Sequence, residues 1–375
     1  MSSGKTHTAI ASTSPGHFTT IQVPTPSSLE PDQVLVKVEY ASMIAFDTYV
    51  NDLGYFVQPQ DYPVIFGFNG AGTIVQVGED VDDLKVGDRV TAFAFGKSER
   101  KAMQEYVVQP RSVVAKIPSS LNLSAAATIP DNFITAFNSL FNPSYLGLPY
   151  PSFAPSPPST SVSPSLTTPI LIYGAGSTTG QYAIQLLHAS GYISILVTSS
   201  PKHHSYLLSL GASHVFDYRS STLASDILQV TQGKKVEYVL DCVTAEATLE
   251  RISQVVNEEG GSKVALLLPI KKGDKVRGEG GKEEMVFELP EERNPLPKGT
   301  KQLGVRNFLY LENSYLRTYL MPKILPHLLD QGIIQPNKVR LLDESSGTLE
   351  ERVGKGLDLL RNNLVSGEKV VVKVQ

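Results

Sequence analysis

The chain has 375 residues, of which 41% are apolar, and this length suits two or three domains of ordinary size. A formal net charge of −4, with 19% charged residues, argues against a basic surface for nucleic acid. No apolar run approaches the roughly 20 residues that cross a bilayer, and the single cysteine, Cys242, favours a reducing, cytoplasmic setting without disulfides or multi-cysteine zinc sites.

The first third of the chain predicts short strands joined by tight turns. Residues 33–40, QVLVKVEY, alternate apolar and polar side chains as a half-buried strand does. Residues 62–78 have strand-like ends around clustered glycines, and residues 84–95 place a turn at Gly87-Asp88 between two β-rich runs. The runs QEYVVQP and SVVAKIP continue this pattern, which indicates a β-barrel-like domain.

The middle third alternates apolar runs with helical patterns. Because the apolar runs are continuous, they predict a parallel sheet that is buried on both faces. The predicted strands are 170–173, 193–199, 214–218, 236–243 and 262–268, and the predicted helices are 125–141, 178–190, 201–210 and 245–257. A further helical pattern lies at 316–334, and a closing strand lies at 368–374.

Two segments have no regular pattern. Residues 142–169 are dense in Pro and Ser, and residues 269–303 are rich in Gly, Lys, Glu and Pro. Both are interpreted as surface loops. The alternative is that one of them borders the substrate opening, because long structureless loops in compact domains are often functional.

A glycine-rich turn follows the predicted strand 170–173. Its sequence GAGSTTG resembles the dinucleotide fingerprint G-x-G-x-x-G with one extra residue in the last interval. Glycines let backbone N–H groups approach a pyrophosphate, and hydroxyl side chains add donors. A glycine-rich corner without a ligand is the alternative, and the flanking strand and helix favour the cofactor. The predicted contacts are Gly174, Gly176, Ser177, Thr178, Thr179 and Gly180.

The end of the second predicted strand indicates which dinucleotide binds. NAD enzymes place Asp or Glu there for the ribose 2′-OH, whereas VTSSPKHH contains no acid. Ser199, Ser200 and Lys202 would suit a 2′-phosphate, and the Tyr218 hydroxyl would reach it from the third strand. This pattern favours NADPH. A helix N-cap at Ser200 before Pro201 is a compatible interpretation, and Tyr218 alone would be a strand-end aromatic residue.

Further segments follow the order found in a known family. FGFNGAGTIVQVGEDVDDLKVGDRV, QEYVV, AKIP, AAATIP, LGASHVFDY and SGEKVVVKV together resemble the medium-chain dehydrogenase/reductases. FDYRS, YVLDCVT and LLRNNLVSGEKVVVKV are most similar to the trans-acting enoyl reductases of fungal polyketide synthases. The resemblance implies an α/β protein. It has a GroES-like β-barrel catalytic domain at 1–130 and 311–375, and a Rossmann-type, doubly wound parallel sheet domain that binds NADPH at 131–310.

Zinc-dependent members of that family bind their metal through a cysteine of the first domain, the histidine of a G-H-E triplet and a later Cys or Asp. Here Ile44 takes the first position, and Phe68 and Asn69 replace the histidine and the glutamate. Isoleucine and phenylalanine have no donor atoms, so we expect no catalytic zinc. The resemblance then implies the metal-free branch, where many members carry N-P-x-D. This chain has I-A-F-D there and keeps only Asp47.

The resemblance also implies contacts with the nicotinamide half of the cofactor. Those contacts would come from Ala45, Phe46, Asp47, Thr48, Thr135, Leu267, Leu268, Val365 and Ser366. Tyr55 is the candidate proton donor, because its spacing from Asp47 resembles the tyrosine acid of mitochondrial-type enoyl reductases. The alternatives are a loop whose aromatic side chains pack or line a pocket, and protonation without a dedicated residue.

The expected function is reduction of an activated C=C by hydride from NADPH, without a metal. The substrate would be a small or carrier-bound polyketide-type acyl chain in secondary metabolism, and a polyketide synthase is the candidate partner. One alternative is a quinone or enone reductase of small molecules, and another is an NADPH-binding protein without turnover. The resemblance is compatible with a monomer or a homodimer.

Overall fold

The structure is a computed structural model that describes residues 5–155, 164–270, 286 and 288–375. These residues form two compact units: unit 1 lies within Met1–Asp131 and Leu316–Gln375, and unit 2 is Asn132–Tyr315. Parts of the predicted loops 142–169 and 269–303 fall outside the described residues. Among the helices that are described, none has the length and apolar content needed to cross a membrane.

The strands are numbered in chain order. Strands β1 to β8 are Thr6–Ser14, His17–Pro24, Gln33–Met43, Val64–Ile65, Asn69–Val77, Arg89–Phe93, Tyr106–Pro110 and Val114–Lys116. Strands β9 to β14 are Ile170–Tyr173, Ile195–Ser199, His214–Asp217, Tyr238–Asp241, Lys263–Leu266 and Lys301–Gly304. Strands β15 and β16 are Lys338–Leu342 and Glu368–Lys373.

The α-helices are numbered in the same way. Helices α1 to α5 are Ala45–Leu53, Leu123–Ala126, Pro130–Phe141, Thr178–Ala189 and His204–Ser209. Helices α6 to α10 are Leu223–Val230, Glu246–Ser253, Ser314–Tyr319, Leu325–Asp330 and Leu349–Arg361, with a π-helical turn at Leu320–Ile324. Short 3₁₀ turns lie at Pro59–Asp61, Ser98–Arg100, Arg111–Val113, Pro201–His203, Glu291–Arg293, Asn307–Glu312 and Glu344–Ser346.

Unit 1 is built on two sheets, and the end of the chain returns to it. The larger sheet has the order β15-β16-β3-β5-β6-β8, with β7 also paired to β3, and the smaller has the order β2-β1-β4. Strand β16 runs antiparallel to β3, with Val370 opposite Met43 and Val372 opposite Ala41. Before β16, α10 lies near α1, and Arg361 bonds both carboxylate oxygens of Asp52 at 3.0 Å. The two chain segments of unit 1 therefore share one sheet.

Unit 2 contains a parallel sheet in the order β11-β10-β9-β12-β13-β14. This is the strand order of dinucleotide-binding folds, in which the order reverses beside the first strand, here β9. Leu171, Leu196, Val239 and Val264 on its central strands are at most 1% exposed and pack with apolar side chains of α6 and α7. Burying each such side chain contributes about 1.5–3 kcal/mol. Because all its strands are parallel, their carboxyl ends lie along one edge of the packed sheet.

The structure confirms most predicted elements of the sheet in unit 2 and corrects others. Residues 84–86 are not a strand, because β6 begins only after the turn, at Arg89. The predicted loop 269–303 runs into β14, which starts at Lys301 and pairs with β13. The hairpin of β1 and β2 and the helices α1 and α6 were missed. Apolar side chains recur at helical spacing in α1, at Phe46, Val50 and Leu53, and in α6, at Leu223 and Ile227, so periodicity alone could have predicted these two helices.

Candidate active site

The glycine turn lies between β9 and α4 in unit 2. Gly174 has a φ of +76°, which glycine adopts without strain, and its N–H donates to Thr198 Oγ1 at 2.9 Å. The Ala175 N–H donates to the Thr198 carbonyl at 2.8 Å, so the turn is held against the end of β10. A Cβ at Gly180 would lie 2.6 Å from Ala175 Cα, so only glycine lets α4 start this close to the turn.

Gly176 faces the end of β10 and the segment after it. A Cβ at this position would lie 3.1 Å from His203 Cδ2 and 3.6 Å from Ser199 Cβ. A side chain here would fill the space between the turn and these residues. Glycine at this position therefore keeps the turn free of a side chain, which a phosphate-binding turn requires.

The three hydroxyl residues of the turn bond within the unit. Ser177 is the N-cap of α4, and its Oγ accepts from the Gly180 N–H at 3.1 Å. The hydroxyls of Thr178 and Thr179 donate to Asn132 Oδ1 at 3.0 and 3.1 Å. The prediction that Thr178 and Thr179 donate to phosphate oxygens therefore requires these hydroxyls to exchange partners.

Asn132 brings a further predicted residue to the turn. It lies in the first turn of α3, and its bonds to Thr178 and Thr179 join α3 to the start of α4. Thr135, predicted to lie near the nicotinamide, follows three residues later on the same face of α3 and is half-buried. The sequence prediction did not include Asn132, because a single amide in an apolar helix carries no pattern of its own.

The predicted 2′-phosphate residues lie at the ends of β10 and β11. Ser199 is buried and its register partner is Asp217, whereas Lys202 and Tyr218 are exposed. Ser200 is the N-cap position of the following 3₁₀ turn, with Pro at its start and no side-chain capping bond. The capping interpretation is therefore correct in position only.

A cation that the sequence prediction missed lies beside them. Arg219 bonds both carboxylate oxygens of Asp217 at 3.1 Å, and its guanidinium lies 5.6 Å from the Tyr218 ring centroid. The bonds from Arg219 lower the pKa of Asp217. The carboxylate of Asp217 at the end of β11 is thus paired with Arg219. The exposed side chains of Lys202 and Tyr218 present hydrogen-bond donors at the same edge.

The carboxyl ends of β12 and β13 complete this edge of the sheet. Leu267 and Leu268 follow β13 directly and are half-buried. Asp241 is buried and accepts from the N–H groups of Val243 and Thr244, both at 2.9 Å, so it orders the start of the next loop. Burial raises the pKa of the Cys242 thiol to about 12, and Ser177 bonds to it. Cys242 is therefore a neutral, buried thiol.

A surface cavity of about 420 Å³ lies at the other end of the same sheet. Thr168 and Pro169 precede β9, Glu237 precedes β12, and these residues line the cavity together with Lys234 and Lys235. Ligands of open α/β sheets bind outside the carboxyl ends of the strands. This cavity is therefore no candidate for the dinucleotide.

In unit 1, the start of α1 contains the buried carboxyl of Asp47. One Asp47 oxygen accepts from the Ile44 N–H at 2.8 Å and the other from the Gly67 N–H at 3.2 Å. Burial raises the pKa of Asp47 to about 6, although these two bonds and the charges of Lys101 and Lys369 act in the opposite direction. The Thr48 hydroxyl donates to the Ala45 carbonyl at 2.7 Å, which fixes the same turn.

An aromatic cluster surrounds Phe46, the second residue of α1. We use this name for the set of rings comprising Phe46, Tyr49, Tyr55, Phe56, Phe68, Phe93 and Phe95. The centroid of Phe46 lies 5.5 Å from that of Phe68 and 5.9 Å from that of Tyr55. Phe56 is 71% exposed and has a φ of +60°, which is unusual for an aromatic residue. Desolvation raises the pKa of Tyr55, so its phenol stays protonated.

Lys101 lies at the inner end of this cluster. Its Nζ is 3.4 Å from the ring centroid of Phe68 and 5.0 Å from that of Phe95, and only 6% of the residue is exposed. Burial lowers the pKa of Lys101 to about 8, and the Asp47 charge partly opposes this shift. The sequence prediction missed Lys101, because the run KSERK is typical of a solvated loop.

Asn69, next to Phe68, belongs to a separate buried network. Its Nδ2 donates to Ser42 Oγ at 2.8 Å and to Asp131 Oδ1 at 2.9 Å, and its Oδ1 accepts from the Asp131 N–H. The Lys369 ammonium on β16 bonds both Asp131 oxygens at 2.7 and 2.9 Å. Asn69 therefore bonds both the carboxylate and the backbone N–H of Asp131. Val365 and Ser366, also predicted cofactor contacts, lie between α10 and β16.

Comparisons with known proteins agree with this architecture. Residues 30–119 match the family model of the alcohol dehydrogenase GroES-like domain, and residues 178–265 match that of zinc-binding dehydrogenase. The trans-enoyl reductase himH of Aspergillus japonicus is 32% identical over 347 residues, which cover 91% of this chain and 90% of that protein. The chain belongs to the trans-enoyl reductase family of the medium-chain dehydrogenase/reductases.

Solved structures show the same fold. The CurK enoyl reductase has 20% identity and a TM-score of 0.69, over 98% of this chain and 99% of that one. The Escherichia coli quinone oxidoreductase complexed with NADPH has 18% identity and a TM-score of 0.68, also over 98% and 99%. This trans-enoyl reductase family member is thus an oxidoreductase of the enoyl reductase type.

The zinc of the matched family model does not fit the residues of this chain. Ile44 and Phe68 offer no donor atom, and the Lys101 ammonium lies over the Phe68 ring. Across the described ranges of the chain, no three His, Cys, Asp or Glu side chains are grouped to hold a metal ion.

Proposed function

We propose that this enzyme is an NADPH-dependent, zinc-independent enoyl reductase that acts on an α,β-unsaturated, polyketide-type acyl substrate. The observation that carries the proposal is the glycine turn between β9 and α4, which lies at the reversal of strand order and has no side chain at Gly176. Its alignment with a named trans-enoyl reductase over nine-tenths of the chain points to the same reaction.

Unit 2 carries the residues that fit the dinucleotide. The turn at Gly174, Gly176 and Gly180 would hold the pyrophosphate, because it lies at the reversal of strand order and opens a helix. Thr135 on one side, and Leu267 and Leu268 on the other, would flank the nicotinamide. We accordingly assign NADPH binding to 131–310 and catalysis to 1–130 with 311–375.

The edge formed by β10 and β11 supports NADPH over NADH. A 2′-phosphate requires donors and positive charge, which Ser199, Ser200, Lys202 and the Tyr218 hydroxyl would supply. Arg219 adds a second cation and occupies the one acid of this edge, Asp217. A free carboxylate for a ribose 2′-OH is therefore lacking at this edge of the described sheet.

When bound, NADPH supplies a hydride for the β-carbon of the substrate. The aromatic cluster of unit 1 would pack against the acyl chain, since its rings offer apolar surface from the buried Phe68 to the exposed Phe56. Tyr55 remains the predicted proton donor from sequence, and Ala45 to Thr48, Val365 and Ser366 remain predicted cofactor contacts. The substrate would be carried by a polyketide synthase or free, and the enzyme would work in the cytoplasm as a monomer or homodimer.

The reaction is tested with the purified chain, crotonyl-CoA as the α,β-unsaturated thioester, and NADPH or NADH. We expect NADPH to be oxidised, NADH to react much more slowly, and cofactor deuterated at the reactive carbon to leave one deuterium on the β-carbon. Oxidation without β-deuteration, or no oxidation of NADPH, would contradict the proposal.

The preference for NADPH has its own test in binding. We expect Lys202→Ala to weaken NADPH binding roughly tenfold, equivalent to about 1.4 kcal/mol, and to leave NADH binding nearly unchanged. Lys298→Ala, at an exposed lysine of the same unit, is the matched control. Calorimetric titration measures both, and equal losses for the two cofactors would argue against a 2′-phosphate site.

A quinone reductase is the second candidate, supported by the fold shared with the Escherichia coli quinone oxidoreductase. It requires rapid NADPH oxidation with simple quinones and none with crotonyl-CoA. A binding protein without turnover requires NADPH binding with no oxidation in either assay. The same set of reactions thus separates all three functions.

A further inference from the structure

Lys101 is a buried ammonium with an unusual set of neighbours. Its Nζ faces the rings of Phe68 and Phe95, and its backbone is fixed on both sides. The Lys101 N–H donates to the Ser98 carbonyl at 3.0 Å, and the Lys101 carbonyl accepts from Gln104 Nε2 at 2.7 Å. The backbone is therefore fixed, and the side chain is buried against the two rings rather than extended into solvent.

Within the described residues, no carboxylate lies at ion-pair distance from Lys101. Asp47, from α1, is the charged group that acts on it, and the other packed elements present the rings of Phe68 and Phe95. Desolvating an ammonium without a paired carboxylate is costly, and cation–π contacts offset only part of that cost. A lysine kept under these conditions is a candidate for chemistry.

The cluster connects this ammonium to an exposed apolar surface. Phe68, under the ammonium, contacts Phe46, and Phe46 contacts the exposed Phe56. An acyl chain packed along these rings would extend from the exposed Phe56 toward Lys101. The family resemblance implies that Phe46 and Asp47 contact the nicotinamide, and the C=C to be reduced would lie beside it.

Building on the proposed enoyl reduction, we propose that Lys101, in place of the sequence candidate Tyr55, is the catalytic acid that protonates the α-carbon of the substrate. After hydride reaches the β-carbon, the enolate electron pair forms the new C–H bond at the α-carbon. The N–H bond of the ammonium breaks, its electron pair stays on nitrogen, and the neutral amine regains a proton from water.

The surroundings suit this role. An acid is most effective when its pKa lies near the working pH, and burial brings Lys101 to about 8. Low polarity around the ammonium strengthens its attraction to the enolate oxygen. Asp47 acts as a positioning residue, because its negative charge favours the protonated form of the lysine.

The test compares Lys101→Met, which can still lie over the Phe68 ring, with the wild-type chain. We expect single-turnover reduction of crotonyl-CoA by NADPH to fall roughly 10²-fold in the variant. The wild-type rate should decline as the pH rises through about 8, and the variant should lose this decline. Lys5→Met is the matched control, because Lys5 lies 6.0 Å from the Tyr106 ring but is exposed.

Two further variants test whether Lys101 acts as a proton donor and not only through its charge or its packing. Lys101→Arg keeps the charge but gives up no proton in this pH range, so it should stay slow. Lys101→Ala should be rescued in part by added methylammonium, which a purely structural lysine would not show. NADPH affinity, measured by calorimetric titration, should be unchanged in all three.

The outcomes distinguish this inference from the proposed function. If Lys101→Met matched the wild-type rate and pH profile, or if Lys101→Ala gave no response to methylammonium, the assignment of Lys101 would be overturned while enoyl reduction stood. If the wild-type chain did not oxidise NADPH with crotonyl-CoA, enoyl reduction itself would fail, and the assignment with it.

Discussion

Unit 1 contains two buried lysine–aspartate couples that are built in opposite ways. Lys369 bonds both oxygens of Asp131 at 2.7 and 2.9 Å. Lys101 and Asp47 act on each other without such a bond, since the lysine lies over the Phe68 ring and the carboxylate accepts from backbone N–H groups. The first couple satisfies its charges by contact, and the second does not.

The difference separates a structural pair from a reactive one. A buried pair in direct contact holds two chain segments together, here the start of α3 and β16. A couple held apart leaves both charges poorly compensated, so burial moves the pKa of Asp47 to about 6 and that of Lys101 to about 8. Groups whose pKa values are moved toward neutral pH in this way are suited to proton transfer.

The largest effect is expected from breaking the pair in contact. Lys369→Met leaves the Asp131 carboxylate buried without its cation, which should destabilise the protein by about 3–5 kcal/mol. Urea unfolding followed by circular dichroism measures this loss. Lys116→Met is the control, because Lys116 pairs with Asp88 at 2.8 Å but is half-exposed, and it should cost less than about 1 kcal/mol. Equal losses would contradict the structural role of the contact.

The second largest effect is expected from Asp47, whose carboxyl makes no direct bond to Lys101. Burial raises the pKa of Asp47 from 3.8 to about 6, so the folded chain binds this proton more tightly than the unfolded chain. The associated stability is present below pH 3.8 and is lost as the pH rises through about 6. Asp47→Asn lacks this loss.

Unfolding free energies at about pH 4 and about pH 7 test this expectation. The advantage of Asp47→Asn over wild type should grow by about 2–2.5 kcal/mol between them, most of the free energy that corresponds to the shifted pKa. An advantage that does not change with pH would mean that Asp47 titrates normally.

The third effect is a gain in the free energy of unfolding, whereas the first, from Lys369→Met, is a loss. Lys101→Met removes an ammonium whose pKa burial lowers from 10.5 to about 8, so at about pH 7 the variant should be more stable by about 1–3 kcal/mol. Because the cost belongs to the charged form, the gain should shrink as the pH rises above about 8. Urea unfolding at two pH values measures it, and a loss as large as that of Lys369→Met would make Lys101 structural.

The smallest effect is expected from Ser42, which bonds to Asn69 in the network that includes Asp131 and Lys369. Ser42→Ala removes one acceptor of Asn69 Nδ2, which still donates to Asp131 Oδ1. We expect a loss of about 1 kcal/mol in the free energy of unfolding and an unchanged pH profile of the reaction. A changed profile would show that the two couples communicate through Asn69.

Sequence patterns were sufficient for the sheet of unit 2 but not for the two couples. Buried parallel strands such as β9 and β10 are continuous apolar runs, and a glycine turn between a strand and a helix has few interpretations. Lys101 lies in a charged segment that is typical of solvated loops, and Asp131 and Lys369 are 238 residues apart in the chain. Their burial depends on tertiary contacts, which local periodicity does not encode.

The same limit applies to only part of the rest of the candidate site. Asn132 was missed because its partner Thr178 lies 46 residues away in the chain. Arg219 pairs with Asp217 only two residues away, so this pair could have been predicted from the sequence. The roles of the residues that were predicted, from Gly174 in the turn to Tyr55 in the cluster, remain predictions for the binding and kinetic tests above.

The most direct test is an NMR titration of the lysine side-chain ammonium groups in the wild-type chain, with Lys101→Met to assign the signal. We expect one lysine, absent from the variant, to titrate at about pH 8. If the signal lost in Lys101→Met titrated instead near the ordinary lysine value of 10.5, Lys101 would be an unperturbed ammonium, and the contrast between the two couples would be contradicted.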